Sequence, residues 1–175
     1  MWKYIRDLVI TVVIAVVIFF ALQMLVGAFK VYGTSSYPNI QPGDYVLLDK
    51  VSYRFRDPQR GEMIILRSPD NSSADLIKRV IGLPGETVEV RDGWVYINDK
   101  PLQEGYTREK PRYTYPRQTV PENSYFVLGD NRNVAVDSHS GWFLPREDVM
   151  GRAWLIYWPT SRMQVVQHYD YSIGK

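Results

Sequence analysis

The chain of 175 residues lacks cysteine entirely and has only two histidines. Both facts reduce the kinds of catalytic and metal-binding site that the chain can form. Without cysteine there is no disulfide framework, thiolate nucleophile or cysteine-ligated zinc site. The net charge is only +2, without the large excess of basic residues that is typical of a dedicated nucleic-acid-binding protein. The 45% hydrophobic and 23% charged residues are typical of folded chains, so wholesale disorder is excluded. The length fits one ordinary domain, or a membrane segment plus a compact domain.

Charged residues are also absent from positions 8–29, a run of 22 residues. As an α-helix this run measures about 33 Å, enough to cross a hydrocarbon core of about 30 Å. Lys3 and Arg6 precede the run and Lys30 alone closes it, so the positive-inside rule favours a cytoplasmic N-terminus. The sequence therefore predicts an uncleaved, single-pass transmembrane signal-anchor in residues 1–30 of a plasma-membrane protein, with residues 31–175 outside the cytoplasm. A cleaved signal peptide is the alternative, with Gly27-Ala28 as a weak cleavage site.

The part after the anchor has few places for long helices, because all 11 prolines lie between Pro38 and Pro159. Short runs rich in β-branched and aromatic residues recur instead. We expect strands at 45–51, 62–67, 76–81, 87–90, 94–97, 125–128 and 153–158, with 87–90 and 94–97 forming a hairpin across Arg91-Asp92-Gly93. The sequence thus predicts a mostly β, antiparallel domain, in which residues 100–122 form an extended excursion or loop. Asn71-Ser72-Ser73 is a glycosylation sequon.

A loop rich in small hydroxyl residues follows the apolar run. It contains Thr34, Ser35 and Ser36, bounded by Gly33 and Pro38. Such a segment is commonly only a juxtamembrane linker. A serine hydroxyl is a poor nucleophile unless a neighbouring base takes its proton, so a catalytic role depends on which base is present.

Two kinds of base are available to such a serine. His139 and His168 are the histidines, but the Gly-x-Ser-x-Gly nucleophile elbow is absent. Lys78 lies in an apolar run predicted as a strand, where burial lowers a lysine pKa from its usual value of about 10.4. Alternation along that strand places Lys78 on the same face as Leu76 and Val80. The sequence leaves two interpretations open: a buried general base, or a lysine that reaches water from an edge strand.

A third polar segment follows the strand expected at 125–128. Gly129-Asp130-Asn131-Arg132 is followed by Asp137-Ser138-His139. These residues suit a simple turn, or a charge-assisted hydrogen-bond network that fixes loops around a site. A metal site of Asp130, Asp137 and His139 has no diagnostic spacing, and we predict neither metal nor cofactor.

Together the three segments resemble the bacterial type I signal peptidase family, which are membrane-anchored serine proteases with a Ser/Lys dyad. The resemblance follows the chain in order. Its motifs are Gly33-Thr34-Ser35-Ser36-Tyr37-Pro38, Gly43-Asp44-Tyr45-Val46, Arg60-Gly61-Glu62, Lys78-Arg79-Val80-Ile81-Gly82-Leu83-Pro84-Gly85-Glu86 and Gly129-Asp130-Asn131-Arg132.

The resemblance implies an endopeptidase that removes signal peptides from exported preproteins after small residues, in sites of the Ala-x-Ala type. Ser35 takes the nucleophile position, three residues before Pro38, and Lys78 takes that of the general base. The Ser35 backbone N–H is implied as oxyanion donor. The implied pocket residues are Val31, Ile40, Leu76 and Ile77, and the implied supports of the site are Gly129, Asp130, Asn131, Arg132, Asp137 and Ser138. The implied partners are signal peptides and the lipid bilayer, with no metal, cofactor or nucleic acid.

The sequence departs from the family pattern close to the site. Ser36 replaces a methionine, and Val134, Ala135 and His139 replace Asn, Ser and Arg. The serine expected at 135 can hydrogen-bond the catalytic amine, and losing one such bond costs about 1 kcal/mol. Gly33 stands where some relatives carry a second hydroxyl donor. The alternative function is therefore a catalytically weak or silent membrane-anchored β module that binds exported peptides or partner proteins.

Overall fold

The structure is a computed structural model that describes residues 2–69 and 75–171. The sequon at 71–73 lies outside these residues. The helices are α1 (Trp2–Leu25) and the short α2 (Ser52–Phe55). The strands are β1 (Val26–Lys30), β2 (Tyr45–Asp49), β3 (Met63–Leu66), β4 (Leu76–Gly82), β5 (Thr87–Arg91), β6 (Trp94–Ile97), β7 (Lys100–Pro101), β8 (Tyr115–Thr119), β9 (Ser124–Leu128), β10 (Leu144–Pro145), β11 (Val149–Trp158) and β12 (Gln164–Val165).

The uncharged N-terminal segment is not helical throughout. Helix α1 ends at Leu25, and Val26 begins β1, which pairs with β2 in antiparallel register from Val26↔Asp49 to Lys30↔Tyr45. The last four residues of the predicted helical span therefore belong to the sheet, because their backbone groups find partners in β2. In the described part of the chain, no helix combines the length and the apolar character needed to cross a membrane.

The strands of the described residues form two antiparallel sheets. The larger has the order β1-β2-β11-β3-β4-β9-β10, with β12 paired to β11, and the smaller has the order β7-β6-β5-β8. These pairings confirm the predicted mostly β, antiparallel fold. Two strands of the smaller sheet, β7 and β8, lie within the stretch expected as an extended excursion.

The β5–β6 hairpin confirms the prediction made from its turn residues. Val88 faces Ile97 and Arg91 faces Trp94 in antiparallel register. Asp92 and Gly93 connect the strands with φ of 51° and 76°. Two consecutive positive φ angles match the right-handed twist of the flanking strands, and Asp-Gly adopts them at low cost.

Strand β4 lies at the centre of the packing. Its residues from Ile77 to Gly82 are buried, and it pairs with β3 on one side and β9 on the other. Ile77, Val80 and Ile81 each belong to a different hydrophobic cluster of the core. This fixes the strand from several directions, so a side chain that it carries has a well-defined position.

Candidate active site

The serine loop is held by its own backbone hydrogen bonds. Val31 and Asp44 close its ends, with the Val31 N–H donating to the Asp44 carbonyl at 2.9 Å. The Tyr37 N–H donates to Thr34, and the Ile40 N–H to the carbonyl of Ser36 at 3.0 Å. The loop predicted as a linker or a catalytic segment is thus an ordered set of turns against the sheet.

The two adjacent serines have different environments. Ser36 is fully buried, and its Oγ donates to the Ile77 carbonyl at 3.2 Å. Ser35 is half-buried, and its hydroxyl and backbone N–H donate to no acceptor in the part of the chain that the structure describes. The hydroxyl of Ser35 is therefore free to meet a substrate, whereas that of Ser36 ties the loop to the residue before Lys78.

Lys78 is buried in the middle of β4, with 2% of its surface exposed. Burial lowers the pKa of its amine, and the negative charge of Asp137 opposes this in part. Among the described residues, no carboxylate lies within 4.0 Å of the Lys78 amine. A lysine without a close counter-charge is easier to deprotonate in a buried site, which is the property required of a general base.

The segment after β9 approaches both the serine loop and β4. Leu128 faces Arg79 across the β9–β4 pair, so Gly129 follows at the position opposite Lys78. A methyl carbon added to Gly129 would lie 2.5 Å from the Ser35 carbonyl oxygen and 2.5 Å from Cβ of Ala135. A larger residue at 129 would displace the Ser35 backbone or the loop around 135.

Asn131 adds two hydrogen bonds to the same loop. Its N–H donates to the Ser35 carbonyl at 2.9 Å, and its side-chain amide donates to the Thr34 carbonyl at 3.1 Å. These bonds fix the backbone on both sides of the Ser35 N–H.

Asp137 and Ser138 fold this segment onto β9. The carboxylate of Asp137 accepts from the Gly129 N–H at 2.9 Å and contacts Nδ1 of His139. The hydroxyl of Ser138 accepts from the Val127 N–H at 3.0 Å. Both side chains are fully buried. Their effect is to hold Gly129 in place beside Ser35 and Lys78.

Two buried arginines form ion pairs next to the site. Arg79 forms a bidentate pair with Asp130 at 2.8 and 2.7 Å. Arg132 donates to the Gly129 carbonyl at 3.1 Å and pairs with Glu104. The carboxylates considered for a metal site thus have other partners, and no metal-binding group of three or more side chains occurs within residues 2–69 and 75–171.

The predicted pocket residues divide between two clusters. Val31, Ile40 and Ile77 are buried together in one of them. Leu76 is half-buried and packs against the cluster of Tyr53, on the other side of the strand. The structure therefore brings three of the four residues together.

Sequence reasoning missed three residues that fix the site. Asn39 donates its side-chain amide to Asp130 at 2.7 Å and to the Tyr106 carbonyl at 3.0 Å. Glu104 and the Tyr106 hydroxyl hold Arg132. Asn39 lies one residue after Pro38, so its closeness to the serine loop in the sequence could have marked it as a candidate. Glu104 and Tyr106 lie in a polar stretch without periodicity, where no local pattern indicates a role.

Known proteins are similar to this chain in sequence. Residues 2–158 match the family described as signal peptidase, peptidase S26. A probable signal peptidase I-2 of Synechocystis sp. is 42% identical over 159 residues, covering 87% of this chain and 73% of that protein. A thylakoidal processing peptidase 1 of Arabidopsis thaliana is 37% identical over 152 residues, covering 81% of this chain and 45% of that protein.

A solved structure is also similar. The crystal structure of a signal peptidase I from Enterococcus faecalis has a TM-score of 0.50 and 38% sequence identity, covering 55% of this chain and 97% of that chain. The chain belongs to the signal peptidase family, peptidase S26. It is accordingly a serine endopeptidase, a hydrolase of peptide bonds.

Proposed function

We propose that this protein removes N-terminal signal peptides from exported preproteins by a Ser35/Lys78 mechanism, cleaving after small residues of the Ala-x-Ala type. The Oγ of Ser35 attacks the scissile carbonyl while the neutral amine of Lys78 takes its proton. Lys78 then gives this proton to the departing amine of the mature protein. Water, activated by the same amine, hydrolyses the acyl-enzyme ester and restores Ser35.

The observation that carries this proposal is the burial of Lys78 beside the serine loop. The Ser36 hydroxyl donates to the carbonyl of Ile77, the residue before Lys78. Gly129 lies against the Ser35 carbonyl and occupies the position opposite Lys78, directly after the neighbouring strand. The lowered pKa of Lys78 increases the fraction of neutral amine at a given pH. No histidine is needed for the proton transfer.

The backbone N–H of Ser35 is suited to stabilise the oxyanion. It has no acceptor within the described residues, and the bonds from Asn131 to the Thr34 and Ser35 carbonyls fix the peptide plane that contains it and the plane that follows. A pre-oriented donor of this kind strengthens as negative charge develops on the carbonyl oxygen.

Two features next to the serine loop and α1 suit an apolar substrate segment. Val31, Ile40 and Ile77 supply a buried apolar wall that suits a small side chain, with Leu76 as a further proposed pocket residue. A groove of about 390 Å³ is lined by residues of β1, β2, β3 and β11, among them Ala28, Phe29, Leu47 and Ile65. We place the apolar end of the signal peptide there.

We also propose that α1 attaches the protein to a membrane, with the β domain outside the cytoplasm. Consecutive residues Val12, Val13 and Ile14 expose 52%, 55% and 52% of their surface. Because helix positions turn by about 100° per residue, these three lie on different sides of α1. An apolar helix exposed all round is more stable in lipid than in water.

A precursor with an Ala-x-Ala site tests the proposed activity. Detergent-solubilised protein should release the mature chain with its new N-terminus after the second alanine, as seen by mass spectrometry, and Ser35→Ala should abolish the product. Binding of the precursor without cleavage would favour the alternative of a silent peptide-binding module, for which the loss of the serine at Ala135 is the supporting feature.

A further inference from the structure

The Arg79–Asp130 ion pair joins the strand that carries Lys78 to the turn that contacts the Ser35 backbone. Arg79 follows Lys78 on β4, is 1% exposed, and faces the opposite side of the sheet. Asp130 lies between Gly129 and Asn131, both of which contact the Ser35 backbone. A shift of this ion pair would therefore move Ser35 relative to Lys78.

The tail segment, residues 166–171, covers this ion pair. The Gln167 carbonyl accepts from Nη1 of Arg79 at 3.2 Å, and the Tyr169 N–H donates to the Gly61 carbonyl at 3.4 Å. The same Gly61 carbonyl accepts from Arg79 at 2.6 Å. The tail segment and Arg79 thus share one acceptor and contact each other directly.

Two tyrosine rings, in contact with each other, pack against the guanidinium group. Its Cζ lies 4.2 Å from the ring centre of Tyr106 and 5.0 Å from that of Tyr169. The two ring centres are 4.6 Å apart. Rings at these distances attract the cation and exclude water from it, which strengthens its pair with Asp130.

Gly61 permits the tail segment to approach this closely. It has a φ of +90°, and a methyl carbon added to it would lie 1.8 Å from the Tyr169 carbonyl oxygen. The match to the signal peptidase family ends at residue 158, so the tail segment lies beyond the matched residues.

We propose that the tail segment is a positioning element for the reaction, acting through Tyr169 and Tyr106 on the Arg79–Asp130 pair. This inference rests on the proposed Ser35/Lys78 function. Tyr169 does not touch the reacting atoms. It holds the guanidinium of Arg79, which holds Asp130 and thereby the turn that fixes the Ser35 backbone.

Tyr169→Ala and Gly61→Ala, each in the full chain, disturb this contact from opposite sides. Each should lower kcat on the Ala-x-Ala precursor by roughly tenfold or more while KM stays near the wild-type value, since the reacting groups are misplaced and the binding groove is untouched. Tyr169→Phe keeps the aromatic ring, so its kcat should stay near the wild-type value. A wild-type circular-dichroism spectrum and a thermal unfolding midpoint above the assay temperature would establish that the variants are folded.

Two matched controls separate the proposal from general damage. Asp170→Ala changes an exposed neighbour in the tail segment. Gly93→Ala introduces the same strain at a positive φ, but its added carbon meets only ordinary contacts with Lys110 and Pro111. Both should keep wild-type kcat.

Wild-type kcat in folded Tyr169→Ala and Gly61→Ala would overturn the proposal, as would an equal loss of kcat in Tyr169→Phe. If Tyr169→Ala does not fold, the comparison of Gly61→Ala with Gly93→Ala decides the matter alone. An inactive wild-type protein would instead contradict the proposed function, before any tail variant is compared.

Discussion

At the residue scale, the choice between two adjacent serines depends on what each hydroxyl contacts. The resemblance to the signal peptidase family, which places the nucleophile three residues before Pro38, implied Ser35, and the structure adds that Ser36 is buried and bonded to the Ile77 carbonyl. The nucleophile register therefore rests on a sequence pattern and on an independent contact. The assignment of Ser35 as the nucleophile stays a prediction until activity is measured.

Ser36→Ala should keep most of the peptidase activity while Ser35→Ala abolishes it. Loss of the bond to Ile77 should lower the free energy of unfolding by about 1 kcal/mol, since one buried hydrogen bond is removed together with its donor. Precursor cleavage and urea unfolding of the two variants, measured in parallel, give both quantities. An active Ser35→Ala with an inactive Ser36→Ala would move the nucleophile by one residue.

Local sequence indicated candidate site residues, but not their long-range partners. Alternation placed Lys78 with Leu76 and Val80, and the structure packs Leu76 and Val80 in the same cluster. The hydrogen bond from Gly129 to Asp137 and that from Asn39 to Asp130 depend on how loops fold back across β9. No local pattern reports such contacts.

At the element scale, most strands could be predicted because alternation and turn residues are local signals. The exceptions have physical reasons. Strand β1 was missed because its residues continue an apolar run, and its pairing partner β2 lies some twenty residues later in the sequence. Strand β8 was missed because it contains Pro116 and four exposed residues, a composition tolerated at the edge of a sheet.

A buried carboxylate ties α2 to the large sheet. Glu62 is 2% exposed and accepts from the Tyr53 hydroxyl and from Arg56. Burial alone would raise its pKa, but the hydrogen bonds from Arg56, the Gln59 N–H and Tyr53 hold the pKa below its usual value. A carboxylate with a lowered folded-state pKa stabilises the fold above its unfolded pKa of about 4.3 and loses this contribution as pH falls.

Glu62→Gln should therefore destabilise the protein by about 2–4 kcal/mol at neutral pH, because a buried partner of Arg56 is lost. The difference from wild type should shrink as pH falls below about 4. Urea unfolding at several pH values measures this, with the exposed Glu122→Gln as control. A difference that is independent of pH would contradict the assigned role of the charge.

At the scale of the whole molecule, the larger sheet carries the site between an exposed apolar helix at one end and a smaller sheet at the other. Strand β4 supplies Lys78, and the loops before β2 and after β9 close around it. This arrangement would place the proposed active site close to the membrane from which a signal peptide emerges.

Paired substitutions in α1 test the membrane attachment. Val13→Asp with Val17→Asp should move the protein from the membrane pellet to the supernatant after alkaline carbonate extraction, because each charge in an apolar helix costs about 3 kcal/mol on insertion. Phe55→Asp is the matched control, an exposed apolar residue on the β domain, and should stay in the pellet. Release of the wild-type protein by carbonate would contradict the attachment.

The side of the membrane is tested separately. Protease added to intact spheroplasts should degrade the β domain. Protection in spheroplasts, followed by digestion after lysis, would show that the domain is cytoplasmic.

The most direct test of the central claim is the pH dependence of kcat/KM for wild type, Lys78→Arg and Lys78→Ala. A neutral Lys78 as base predicts activity that rises with pH through the pKa of Lys78, which burial lowers from the ordinary lysine value. Lys78→Arg should be nearly as inactive as Lys78→Ala, since a guanidinium stays protonated at any workable pH. His168→Ala, at an exposed position, should keep the wild-type profile. A folded and fully active Lys78→Arg would show that the site needs only a positive charge at 78, and the Ser35/Lys78 mechanism would be wrong.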